Sequence, residues 1–207
     1  MKTICILSQK GGSGKTTVAL ALAVHATMRR KLTLVIDLDP QGSSIKWSER
    51  RESDAPTVVS AQAVGLPRIL DGARADGADL VVIDTAPHSE AASLTAAKAS
   101  DLVVIPCRGS IHDLEAVENS VTVAQLAKKP VVVLFNAMPP NAPRMAEDAR
   151  AAVEESYGVP VLPVHLCQRS DHIHAATEGK APSDYAPQGK AAAEVAAVYQ
   201  RIMKLVG

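Results

Sequence analysis

Residues 10 to 17, Lys10-Gly-Gly-Ser-Gly-Lys-Thr-Thr17, place glycines, two lysines and hydroxyls at a spacing suited to holding a polyphosphate. Glycines let backbone N–H groups turn inward and approach an anion closely. A lysine neutralises the β- and γ-phosphates, and the hydroxyl that follows it can ligate Mg²⁺. The ordinary loop, GxxxxGK[ST], would need glycine at position 9, where this chain has Gln9, and it carries one lysine rather than two. Lys10 is therefore the unusual residue. Gly11, Gly12, Ser13, Gly14, Lys15, Thr16 and Thr17 are the candidate phosphate-binding residues, with Lys15 on the phosphates and Thr16 on the metal. A dinucleotide fingerprint would need glycine where Thr17 stands, and a nucleophile elbow would need glycine where Lys15 stands.

Two later segments end apolar runs in carboxylates. Residues 32–36 lead into Asp37-Leu38-Asp39-Pro40, and residues 80–83 lead into Asp84. Such strand ends lie beside the phosphate loop of a parallel sheet. Asp37 and Asp39, two apart, are expected to project to one side, towards the nucleotide. Asp84 is expected to hold Mg²⁺, through water, with Thr16.

These three segments, KGGSGKTT, DLDPQGSS with Trp47 soon after, and VVIDTAP, resemble the motifs of the ParA/MinD family of deviant Walker ATPases, most closely the short ParA-type partition ATPases. The resemblance implies ATP and Mg²⁺ as cofactors and ATP hydrolysis as the activity. It implies that Lys10 reaches across an ATP-dependent homodimer to the partner's phosphates, that Asp39 positions the attacking water, and that Asp37 supports the Mg²⁺ shell, so that Lys10, Lys15 and Asp39 are the catalytic set. Asn136, after the apolar run 131–135, falls where the family reads adenine with an amide; a structural turn asparagine before Met138-Pro139-Pro140 is the competing reading. The resemblance further implies non-specific DNA binding by the closed dimer, plasmid or chromosome segregation, a ParB-like centromere-binding partner, and a bacterial cytoplasmic, nucleoid-associated location. Arg169 follows the last strand where the family often carries DNA-contacting residues. Lys180, Lys190, Arg201 and Lys204 could join it in a dimer, against the reading that all are isolated solvated charges. The rival function is a MinD-like or other positioning ATPase acting on a membrane, a protein cargo or a DNA-transfer complex.

Composition narrows the partners. Twenty-two basic residues balance 22 acidic ones, so any polyanion site must be a local patch or a product of dimerisation. Aromatic residues make up 2% of the chain, which leaves no platform for base stacking. Cys5, Cys107 and Cys167 are odd in number and far apart, as buried reduced thiols would be, and no CxxC pair suggests an iron–sulfur relative. The His165, Cys167, His172 and His174 group matches no standard zinc spacing. No apolar run approaches a membrane span and no targeting segment precedes the first strand, so no membrane partner is expected.

The elements that must position these residues alternate. Apolar runs at 3–7, 32–36, 57–60, 80–83, 102–105, 131–135 and 159–164 predict strands, with helical patterns between them, including 16–28, 114–127, 144–157 and 190–206. The expected fold is a single α/β domain over 1–207, a doubly wound, mostly parallel sheet of about seven strands with helices on both faces. The stretch 168–189, rich in Gly and Pro, reads as surface loop with one short helix.

Overall fold

The computed structural model describes residues 1–110, 113–114 and 117–207. In chain order the elements are β1 (Lys2–Ile6), α1 (Lys15–Met28), β2 (Thr33–Asp37), α2 (Ser43–Ser48), β3 (Thr57–Ser60), a 3₁₀ turn (Ala63–Gly65), α3 (Leu66–Ala75), β4 (Leu80–Asp84) and α4 (Glu90–Lys98). They continue with β5 (Leu102–Cys107), α5 (Val117–Ala127), β6 (Val131–Phe135), α6 (Pro143–Tyr157), α7 (Ser170–Thr177), α8 (Pro182–Tyr185) and α9 (Lys190–Leu205). Of the helix expected over 114–127, residues 115 and 116 lie outside the described residues.

All strand pairs are parallel, in the order β3-β2-β4-β1-β5-β6. The strands are apolar on both faces because helices cover both. Alternation divides the core in two. Cys5, Val81, Ile83, Val103, Ile105, Val133 and Phe135 pack with the buried residues of α3 to α6. Ile4, Ile6, Val82, Val104, Val132 and Leu134 pack with α1 and α9. Between the sheet and the C-terminal elements, α1 buries an unbroken run, Val18 to Val24, which explains a helix apolar on nearly all sides.

The sheet has six strands, because residues 159–164 form no seventh. This segment tracks the edge of β6, with Val133 N–H donating to the Pro160 carbonyl and Leu162 N–H to the Val133 carbonyl, both at 2.9 Å. Among the described residues its pairing there is the isolated bridge Val133–Val161. Pro160 and Pro163 have no N–H to continue a ladder, so apolar patterning without donors yields an edge loop. The stretch 168–189 holds two helices, α7 and α8, rather than one.

β1 lies centrally, with β2 and β3 to one side and β5 and β6 to the other. Its C-terminal end is a topological switch point, where open α/β sheets form their ligand crevice. The phosphate loop starts there.

Candidate functional site

Gln9, at the place of the missing glycine, is buried, and its N–H donates to Ser120 Oγ on α5 at 3.1 Å. The loop is thus pinned to a helix before its glycines begin. Gly14 closes it in a left-handed conformation, φ +93°, and a Cβ there would lie 2.0 Å from Asn136 Nδ2. That amide donates to the Ser13 carbonyl at 2.9 Å, so Asn136 braces the loop from β6. No side chain caps α1, which leaves its first-turn N–H groups and positive dipole end for an anion.

The two lysines have different surroundings. Lys15 is 7% exposed and its ammonium donates to the Lys10 carbonyl at 3.1 Å, across the loop's mouth. Burial lowers its pKa, opposed by Asp84 and Asp39. A phosphate arriving there meets an already desolvated cation. The Lys10 side chain is 37% exposed at the rim and pairs with Asp113 Oδ1 at 2.6 Å. Asp113 also accepts from Ser110 Oγ. Burial pushes the Asp113 carboxyl up, but the contacts with Lys10 and Ser110 hold it below the usual range.

Asp37 and Asp84 are register partners at the ends of β2 and β4, and both are buried. Asp84 Oδ2 accepts from Thr16 Oγ1 at 2.7 Å and from Ser44 Oγ at 3.0 Å. Its Oδ1 is buried without a partner among the described residues. Desolvation pushes its carboxyl up to about 7, despite the Thr16 hydrogen bond. An unspent carboxylate oxygen beside a loop threonine fits Mg²⁺ held directly or through water, and the two sequence candidates for that task are in contact. Asp37 behaves otherwise: Oδ1 accepts the Asp39 N–H at 3.0 Å, and Oδ2 accepts those of Ser44 at 2.9 Å and Ile45 at 3.3 Å. The Asp37 carboxylate thus ties down the start of α2. It supports the metal site at one remove, through Ser44.

Asp39 is partly exposed, and its Oδ1 accepts the Gln41 N–H at 2.9 Å. It faces an open cavity of about 800 Å³ lined also by Pro40, Ser60, Ala63, Pro87 and Ser89. On the other side of the loop, a cavity of about 530 Å³ meets Gly14 and Thr17 and is walled by Arg108, Asn136, Pro139, Arg169 and His172. Asn136 thus both braces the loop and lines this cavity.

Arg169, expected on a DNA surface, stands in that wall with Nε and Nη2 held by Glu194 Oε1 at 2.8 and 2.6 Å. Its charge is compensated by a helix that sequence spacing did not connect to it. Lys180 pairs with Glu178 at 2.9 Å, and Lys190 is exposed at the start of α9. Sequence reasoning also missed Ser44, Asp113, Ser120 and Glu194. Of these only Ser44, within DLDPQGSS, lay in a segment already singled out. Cys5, Cys107 and Cys167 are free and buried. Among the described residues no helix is long and apolar enough to cross a membrane.

A parallel sheet with a lysine-first phosphate loop at its switch point, a buried strand-end carboxylate on the loop threonine and a second carboxylate at an open mouth defines a P-loop nucleotide-binding protein of the deviant Walker kind. The family model for the CobQ/CobB/MinD/ParA nucleotide binding domain matches residues 4–183, and the chain belongs to this family. It is 33% identical over 207 residues to the maintenance of carboxysome distribution protein A of Gloeobacter kilaueensis, covering 97% of this chain and 92% of that protein. It is 30% identical over 146 residues to the chromosome-partitioning ATPase Soj of Thermus thermophilus, covering 56% of this chain and 59% of that one. Among solved structures, the cell division ATPase MinD of Pyrococcus furiosus superposes with TM-score 0.74 at 19% identity, covering 99% of both chains, a likeness of fold. Proteins of the same fold are solved with Mg-ADP, as MinD of Pyrococcus horikoshii (TM-score 0.75, 18% identity), and with ATP, as a variant of Cyanothece McdA (TM-score 0.72, 17% identity).

Proposed function

We propose that this protein is a nucleotide-gated positioning ATPase, in which ATP closes a sandwich dimer and hydrolysis reopens it. The observation that carries the reading is the division of labour between the lysines. Lys15 is buried under its own loop, whereas Lys10 sits on the rim, 37% exposed and paired with Asp113. A rim lysine can exchange its carboxylate for a partner's phosphates, much as an arginine finger acts in trans. Mg²⁺, held by Thr16 and Asp84, would neutralise charge on the β- and γ-phosphates. Asp39, at the open mouth, is suited to orient a water there.

The closed dimer binds DNA without sequence preference. Arg169, expected on that surface, has its charge paired with Glu194 and contributes less to it than an unpaired cation would. Lys190, Arg201 and Lys204 are exposed on α9 and, at 11 and 14 residues' spacing, lie within about 60° of one helix face. Dimerisation doubles this row, which suits a protein neutral overall. Segregation of a plasmid or chromosome with a ParB-like partner is one cargo reading. Distribution of a protein assembly over the nucleoid is the other, and the name of the Gloeobacter relative, matched along nearly the whole chain, favours it.

The test is sedimentation with duplex DNA under ATP and ADP over a salt series. Binding with ATP alone, falling steeply with salt and weakened by Lys190→Ala/Arg201→Ala/Lys204→Ala, is expected. Equal binding with ADP would overturn the DNA reading, and binding to anionic vesicles instead would favour a membrane cargo.

A further inference from the structure

With the phosphates on the loop, the cavity that meets Gly14 and Thr17 offers about 530 Å³ to the nucleoside, with Asn136 in its wall. Its outer wall, residues 167–173, carries Arg169 and His172. A single carboxylate braces this wall. Glu194 Oε1 takes Nε and Nη2 of Arg169, and Oε2 accepts the Cys167 N–H at 3.0 Å. One side chain of α9 thus fixes both a side chain and the main chain of the wall.

The braced wall has unspent hydrogen-bonding capacity. Glu194 takes Nε and Nη2 of the Arg169 fork and the Cys167 side chain is a further partner, so the guanidinium is held fast in the cavity wall. His172, three residues further on, lines the same cavity, and both of its ring nitrogens are buried without a partner among the described residues. Burial lowers its pKa, assisted by Arg169 and opposed by Glu194 and Asp171. Buried polar atoms are normally paired, and a purine edge or ribose hydroxyl would pair these.

We propose that Glu194 is a positioning residue for nucleoside recognition, which acts from the C-terminal helix through Arg169 and the Cys167 backbone and leaves the phosphate side untouched. The proposal rests on the nucleotide reading of the loop. It also gives Arg169 a role at the ATP site.

The experiment compares Mg·ATP with inorganic tripolyphosphate by titration calorimetry. The proteins are the wild type, Glu194→Ala, Glu194→Gln, Arg169→Ala and the double variant Glu194→Ala/Arg169→Ala, with circular dichroism to establish folding. Glu194→Ala is expected to weaken ATP about tenfold, the scale of one hydrogen bond to a charged group, and to leave tripolyphosphate unchanged. Glu194→Gln keeps an acceptor for the Cys167 N–H and should fall between; it carries the comparison if the alanine variant does not fold. The double variant should bind ATP no worse than the poorer single one, as residues acting in series do. Equal losses for ATP and tripolyphosphate in folded variants, or unchanged ATP affinity, would overturn the proposal. A wild type that binds neither anion would instead overturn the nucleotide reading itself.

Discussion

The phosphate side and the nucleoside side of this site are built by different means. The phosphate side takes nearly all its groups from one contiguous loop and from the ends of β2 and β4, and sheet register brings Asp37 opposite Asp84. The nucleoside side joins residues distant in sequence. Asn136 braces Ser13 from 123 positions away, and Glu194 holds Arg169 from 25. A chemistry fixed by local backbone geometry admits few substitutes, whereas a wall assembled from loops and helix faces can be re-lined. Variants on the phosphate side should therefore affect ATP and tripolyphosphate alike, and those on the nucleoside side ATP alone.

The largest effect is expected at Asp39. Asp39→Ala removes the group suited to orient water and should lower ATP turnover by ~100-fold or more, the usual worth of such a group. ATP binding should persist and the dimer accumulate, which steady-state phosphate release beside light scattering would show. Next is Lys15→Ala, which should weaken ATP and tripolyphosphate equally, by about 10- to 100-fold, since it loses charge-assisted hydrogen bonds of about 1.5–3 kcal/mol. A selective loss for ATP would break the division between the two sides. Gly14→Ala tests the seam between them. Its Cβ would strike the Asn136 amide and its backbone would be held at positive φ, at a cost of about 1–3 kcal/mol that thermal denaturation would report. Both ligands should bind more weakly to it.

The smallest effect concerns stability and pH. Burial pushes the Glu194 carboxyl up, but hydrogen bonds from Arg169 and the Cys167 N–H prevail and hold it below its ordinary value. A depressed carboxylate contributes stability that is present above its unfolded pKa and is lost as pH falls through its folded one. Wild type should therefore exceed Glu194→Gln in melting temperature at neutral pH, by the equivalent of about 1 kcal/mol or less for a partly exposed pair, and the gap should close in acid. A gap independent of pH would show that the charge is not what Glu194 contributes.

The same contrast explains what could be read from the sequence. The loop, Thr16 with Asp84, and the parallel alternation were legible because each rests on a short pattern with a local cause. The seventh strand was misread because 159–164 has a strand's apolar residues but, with Pro160 and Pro163, lacks its donors. The N–H groups of Asp39, Ser44 and Ile45 that Asp37 accepts were not legible, because spacing shows where a strand ends but not which donors the following segment will aim back at it. The pairing of Arg169 with Glu194 was not legible because nothing in the sequence near Arg169 announces a residue of α9. The Asp113 carboxylate that pairs with Lys10 was equally hidden, beyond β5 and unrelated to any motif.

The central claim is that Lys10 acts across an interface while Lys15 serves its own protomer. It is tested most directly by measuring molar mass in solution with Mg·ATP, alongside ATP affinity, for wild type and Lys10→Ala. Wild type should move from monomer to dimer on adding ATP, while Lys10→Ala binds ATP with little change in affinity and stays monomeric. A Lys10→Ala protein that dimerises on ATP and hydrolyses it at the wild-type rate would contradict the account, and would leave Lys10 with contacts inside its own protomer, such as the pair with Asp113.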